Sequence, residues 1–242
     1  MPRRCPLPTA PLEDVPLKIP AHAPLHLMHQ TAVGALATHS REPRGFPYPT
    51  LLPFAPDARH RPVILVSRLA EHTRNLLDDP RAGFLVAHSA DADVLNAPRA
   101  TLLGRFEPVA AAADGEASVA LARRYLRYHP DAERYLALGD FTFWIMQVER
   151  LRYIGGFGAM GWMDGADLDT LEPLAADDET TLIRFFETHS QRRAGLDLAG
   201  VDRYGADLVI DGACTRFVFE APQPDLPSLH AVLADCIERH SS

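Results

Sequence analysis

Cysteine is scarce in this chain of 242 residues: Cys5, Cys214 and Cys236 are the whole complement. They stand far apart with no C-x-x-C pair, which argues for reduced thiols in a cytoplasm rather than a disulfide framework, and a zinc site is not expected. Dense basic clusters are also missing. With a net charge of −8 and a pI near 5.7, nucleic acid is not an expected partner. No apolar run approaches the roughly 18 residues that span a bilayer, so no membrane segment is expected. The first residues, MPRRCPLPTAPLEDVPLKIP, carry two arginines but no hydrophobic core, so a secretory signal is not expected. Neither G-x-S-x-G nor H-E-x-x-H occurs, and no cysteine stands in a recognisable nucleophile context. Any chemistry then falls to a bound cofactor, with the protein supplying placement and electrostatics.

What is present centres on residues 64–88, ILVSRLAEHTRNLLDDPRAGFLVAH. Ile64-Leu65-Val66 is a short apolar run of the kind a buried strand shows. Ala70 to Asp78 takes helical spacing, with Leu69, Thr73, Leu76 and Leu77 on one face and Glu71, Arg74 and Asp78 on the other. Asp79-Pro80 ends the helix, because proline disfavours helical backbone in the residue before it. Ala82 to Ala87 is the next strand. A helix that opens just after a strand presents free N–H groups and a positive dipole end, which suits a phosphate. Ser67, His72, Thr73 and Asn75 add polar side chains there, although an ordinary capped helix reads the same way.

The rest of the chain reads in order. Residues 1–20 carry six prolines and read as a flexible or extended arm. A short helix follows from Ala21 to Thr31, with His22, His26 and His29 on one face that is expected to be solvated rather than metal-binding. Strands are expected over Ala32–Thr38, Pro49–Ala55, Val63–Ser67, Arg99–Val109 and Phe141–Ile154. Gly104 marks a bulge or a close approach, Asp91–Pro98 is a loop, and Ala112–Tyr128 is a helix with Leu121, Tyr125 and Tyr128 buried. Asp131–Leu138 adds a further turn or two of helix. Trp144 is expected in the core. Gly155-Gly156-Phe157-Gly158 lacks dinucleotide-binding spacing and serves a chain reversal. Residues 161–178 read as an acidic linker. Beyond them come a helix over Thr180–His189, strands over Leu198–Val201, Ala206–Ile210 and Thr215–Phe219, and a closing helix over Leu226–His240. The fold class is α+β.

The run S-R-L-A-E-H-T-R-N-L-L-D-D-P-R resembles the flavin-phosphate segment of the pyridoxamine 5′-phosphate oxidase-like split barrels, and within them the haem-utilisation branch. GALATHS, GFPYPT, ATLLGRFEPV, RYHPDAERYLALGDFTFW and YIGGFG extend the resemblance over roughly residues 25–160. It implies an antiparallel six-stranded split β-barrel with flanking helices over 21–160, and a small C-terminal α-β-β-β-α domain over 179–242. It further implies a homodimer with an FMN cleft between subunits, lined by Thr50, Leu51, Ser67, His72, Thr73, Asn75 and Arg99. His72 stands where a basic phosphate ligand would be, and Glu71 where a second would be. In the C-terminal motif FFETHSQRR, His189 remains while the asparagine and aspartate usual in relatives do not. The resemblance leaves three functions open: an FMN-dependent oxidoreductase, a haem-binding or haem-degrading protein, and a cofactor-free dimeric binding module. For haem, His240 is the expected iron ligand, with His189 behind it.

Overall fold

In a computed structural model, which describes residues 19–20, 22–88, 96–109, 115–156 and 159–241, alternating side chains shape seven antiparallel strands into one sheet. The strands are β1 (Val33–His39), β2 (Pro47–Pro56), β3 (Pro62–Ser67), β4 (Arg81–Ala87), β5 (Arg99–Pro108), β6 (Phe141–Ile154) and β7 (Met160–Asp164). Their order is β3-β2-β1-β4-β5-β6-β7, and β3 also pairs with β6. That pairing closes six strands into the expected barrel. The 14 residues of β6 serve two purposes. Phe141–Ile145 pairs with β3 to close the barrel, while Arg150–Ile154 carries β7 on the same edge.

Period-two burial fills the barrel. In β5, Ala100, Leu102 and Phe106 point inward while Leu103 and Arg105 point outward. Phe54, Phe84 and Phe106 pack edge to face, with centroids 5.2 and 5.9 Å apart. Trp144 is buried with them, as expected. At Gly104 the register against β6 slips by one residue, and an added Cβ would lie 2.0 Å from the Gln147 carbonyl oxygen. The bulge therefore needs a residue without a side chain.

Helices α1 (Ala23–His29), α2 (Glu71–Asp78), α3 (Glu116–Tyr128) and α4 (Glu133–Leu136) flank the barrel, with a 3-10 turn at Pro130–Ala132. The C-terminal unit is α5 (Ala176–Thr188), strands β8 (Leu196–Val201), β9 (Gly205–Ile210) and β10 (Ala213–Val218), and α6 (Leu226–Ser241). Its sheet runs β10-β9-β8, and Leu182, Phe186, Leu208, Leu229, Leu233 and Ile237 form its own core.

Several expectations are corrected. Of the face expected to pack, Thr73 and Leu76 of α2 are buried, while Leu77 and Leu69, which precedes the helix, are exposed and Asn75 is buried in their place. A short helix beside a barrel covers its contact with one narrow stripe, and here that stripe runs through Thr73, Asn75 and Leu76 rather than to the ends of the apolar face. In α3 the buried pair is Arg124 and Tyr125, with Leu121 and Tyr128 only half-buried. The stretch read as a linker, 161–178, holds β7, a 3-10 turn at Gly165–Asp167, the buried Leu168 and the start of α5. Leu168 anchors it in the barrel core. The arm up to residue 18, Cys5, residues 91–95 of the expected loop, residues 112–114 of the expected helix, and Phe157-Gly158 lie outside the described residues. Ile19 packs against the core.

Replacing Gly104 with Ala forces the β6 backbone to move and is expected to destabilise the protein by about 2 kcal/mol. Urea unfolding checks this. A midpoint equal to wild type would mean that the bulge tolerates a methyl group.

Candidate functional site

The strand-to-helix element after β3 is built as its residues require. Ser67 ends β3, donates its hydroxyl to Asp140 and accepts the Leu69 N–H at 3.0 Å. Helix α2 then opens with Glu71, His72 and Thr73 in its first turn. Burial pulls the His72 imidazole below its ordinary value. His72 Nε2 and Thr73 Oγ1 are both buried and make no hydrogen bond among the described residues. Asn75 is differently placed. Its Nδ2 donates to Thr38 Oγ1 at 3.0 Å and its Oδ1 accepts the Arg41 N–H at 3.2 Å, so its amide holds the end of β1.

Thr50 and Leu51 lie on β2 opposite Leu36 and Ala35, and only Leu51 points outward, at 74% exposure. Register extends that outward row across the sheet as Leu51, Ala35, Leu85 and Thr101. A second row runs Pro49, Ala37, Gly83 and Leu103. The result is a nearly uncharged outer face, and hydrophobic patches of this kind on a folded protein mark binding surfaces. One end of it forms a groove of about 510 Å³ bordered by Val33, Leu51, Leu85 and Ala87, with His88 at its rim. Arg99 opens β5 beside Ala87, and its guanidinium donates to the Ala97 carbonyl at 3.2 Å. The structure thus brings Leu51 and Arg99 to one face, with Ser67, His72 and Thr73 on a separate element. His88 was not foreseen. Its only sequence signal is a histidine directly after an apolar strand.

His240 sits near the end of α6, with Nδ1 donating to the Cys236 carbonyl at 2.8 Å and its ring against Phe217. His189 caps α5, and its Nδ1 accepts the Gln191 N–H at 3.4 Å.

A third constellation joins the C-terminal unit to the barrel. Helix α1 turns Leu25 and Met28 into the barrel core and His26 and His29 toward the C-terminal sheet. The guanidinium of Arg216 is buried there. It donates to Asp207 Oδ1 at 2.6 Å, to both oxygens of Asp202 at 2.9 and 3.0 Å, and to His26 Nδ1 at 3.0 Å. A Cβ on Gly205 would lie 2.9 Å from the Arg216 guanidinium carbon, so the glycine makes room for it. His29 Nδ1 donates to Asp207 Oδ2 at 2.6 Å, and the Tyr128 hydroxyl donates to the same oxygen. Burial works against the charge of Asp202, but Arg216 offsets it and holds the carboxyl at about 2. Burial, helped by Arg216, lowers His29 to about 4, so its ring is neutral at pH 7. The expectation of a solvated histidine face on α1 is therefore overturned. The partners of His29 lie 31 and 178 residues downstream, at His60 and Asp207, where no local pattern in α1 can announce them.

Comparison with known proteins places these features. Residues 20–169 match the family model described as CREG, beta-barrel. The chain is 33% identical over 130 residues to the chloroplastic non-canonical heme oxygenase HOZ of Arabidopsis thaliana, covering 54% of this chain and 38% of that protein. It therefore spans well under half the length of that curated relative. Among solved structures it is similar to an Agrobacterium tumefaciens protein of unknown function, with TM-score 0.70 and 22% identity over 87% of this chain and 92% of that one. It is also similar to a heme binding protein from Mycobacterium smegmatis, with TM-score 0.55 and 28% identity over 91% of this chain and 98% of that one. The expected split-barrel superfamily is borne out. Among the described residues no helix is long and apolar enough to cross a membrane.

Replacing Arg216 with Met leaves Asp202 and Asp207 without their cation in the interior. Loss of one partner from a buried ion pair is expected to cost about 3–5 kcal/mol. Denaturant titration measures it, and a loss below about 1 kcal/mol would show that the carboxylates find other partners.

Proposed function

The chain belongs to the CREG β-barrel family, and from that premise we propose that it binds haem on the apolar face of β1, β2 and β4. The observation that carries this reading is the groove itself. Porphyrin is flat and apolar at its centre, and Val33, Leu51, Leu85 and Ala87 offer an uncharged surface for it. His88 at the rim supplies an imidazole of the kind haem iron takes as a ligand. Arg99, beside Ala87, is a cation within the same region for a propionate. Two relatives with heme in their names support the choice, the Arabidopsis oxygenase and the mycobacterial binding protein. What bound haem would add is iron-centred oxygen chemistry. The chain's own residues hold the ring and shield one of its faces from water.

The same face is proposed to be covered by a second copy of the chain. Leu51 and Leu85 in one outward row and Leu103 in the next stand at 74%, 40% and 41% exposure, a patch that a homodimer would bury. The haem groove would then lie between subunits.

FMN is the second reading, and one observation favours it. The unpartnered His72 Nε2 and Thr73 Oγ1 stand in the first turn of a helix, where a phosphate is stabilised by free N–H groups and the dipole. Glu71 in the same turn opposes an anion. A flavin-dependent oxidoreductase rests on this element, with Ser67 beside it.

Separate titrations with haemin and FMN decide between them. Wild type is expected to develop a Soret band at one haem per chain, and His88→Ala to weaken binding at least tenfold, about 1.4 kcal/mol. His240→Ala and His189→Ala run beside it, and loss of the band in either would move the iron ligand to the C-terminal unit. Stoichiometric quenching of FMN fluorescence, weakened tenfold by His72→Glu, with no haem uptake, would replace haem by flavin. For the dimer, light scattering is expected to give twice the chain mass, and Leu51→Glu with Leu85→Glu to halve it. A wild-type monomer at micromolar concentration and above would contradict the dimer.

A further inference from the structure

Two imidazoles meet inside the seam between barrel and C-terminal unit with their ring nitrogens opposed. His29 gives its Nδ1–H to Asp207 Oδ2 at 2.6 Å, and His60, from the β2–β3 hairpin, gives its Nε2–H to Asp169 Oδ2 at 3.1 Å. A carboxylate on the far nitrogen fixes which nitrogen carries the proton and turns the bare one inward. The bare atoms, His29 Nε2 and His60 Nδ1, are 2.8 Å apart. Two lone pairs at that distance need a cation between them, either a shared proton or a metal ion. Asp202 Oδ2 converges on the same point, 3.6 Å from His29 Nε2 and 4.0 Å from His60 Nδ1. Its hydrogen bonds from Arg216 leave it a second lone pair.

Charge separates the two cations. Asp169, Asp202 and Asp207 bring three negative charges to the cluster, and Arg216 one positive charge. Of the neighbouring ions, Arg124 is matched by Glu179, and Arg127, also on Glu179, reaches solvent. Tyr128 and Tyr204 donate hydroxyls to Asp207 and Asp169 without adding charge. A divalent ion offsets more of this negative charge than a shared proton does. Uncompensated charge in an interior is strongly unfavourable.

We propose that His29, His60 and Asp202 form a structural site for one divalent transition-metal ion of the zinc class. Tetrahedral zinc with bonds of ~2.0–2.1 Å sets its ligand atoms ~3.3 Å apart, and the three separations here bracket that value. Imidazole nitrogen and carboxylate oxygen suit zinc. All three residues are buried, which fits an ion that holds structure together. Among the described residues this is the single grouping of its kind. The scarcity of cysteine is no obstacle to it, because no thiolate is a donor. The ion clasps α1, the β2–β3 hairpin and the turn between β8 and β9, which belong to distant parts of the chain.

The test uses the full chain, stripped with a chelator and titrated with Co(II) and Zn(II). The expected result is one ion per chain, visible d–d bands of four-coordinate cobalt that zinc displaces, and a higher melting temperature with zinc. His29→Gln and His60→Gln are expected to weaken binding at least a hundredfold, and Asp169→Asn, which loosens the orientation of His60 while leaving the three ligands in place, about tenfold. His189→Ala is expected to bind as wild type does. Should the histidine variants not fold, Asp169→Asn and the wild-type melting shift decide. A wild type that takes up no cobalt and melts identically with and without zinc overturns the site. So does a cobalt spectrum that survives in His29→Gln and His60→Gln. No readout involves haem or flavin, so this site and the haem groove stand or fall separately.

Discussion

Arg216 holds two units of this protein in one arrangement. A guanidinium between two buried carboxylates is stable only when every strong hydrogen-bonding site around it is filled, and here the filling comes from several directions. Asp202 and Asp207 come from the C-terminal sheet, His26 from α1, and Tyr128, through Asp207, from α3. Each partner restricts the others, since moving any one exposes a charge to an apolar interior. The surrounding contacts extend the same logic. Arg124 and Arg127 on α3 share Glu179 of α5, and Arg127 also donates to the Ala199 carbonyl in β8 at 2.7 Å. Polar complementarity, in addition to apolar burial, fixes how the C-terminal unit sits on the barrel.

Among the described residues, this division of labour leaves the outer barrel face uncovered. The C-terminal unit covers the α1 and α3 side, whereas β1, β2 and β4 present Leu51, Ala35 and Leu85 outward. Between that face and α2 runs β1 itself, whose inward Thr38 receives the Asn75 amide. The apolar groove and the phosphate-like helix start are therefore two ends of one strand's surroundings. A ligand can use either without disturbing the seam.

How much of this was legible in the sequence follows from the range of the forces involved. Strand β6 could be read to its last residue, because alternation and flanking turn residues are local. Gly104 announced its bulge, since a glycine within a strand has few other uses. The family resemblance supplied the barrel closure that periodicity alone does not give. Leu77, and Leu69 just before the helix, are exposed despite their spacing, because apolar spacing around an eight-residue helix does not tell which stripe meets the barrel. The seam was the largest omission. His29, His60, Asp202, Asp207 and Arg216 look like isolated polar residues in sequence, and their chemistry exists only once distant segments have met. A stripe of histidines on an otherwise apolar helix is the one available hint, and by spacing alone it fits a solvent-facing stripe equally well.

The buried ionic seam makes barrel and C-terminal unit one cooperative structure. Native-state hydrogen exchange tests it most directly. The account predicts that amides of β1, β8 and β9 open with the same free energy and the same denaturant dependence, as expected for one global unfolding event. Exchange from β8 and β9 at a clearly lower free energy, with β1 still protected, would show that the C-terminal unit opens alone and would contradict the account.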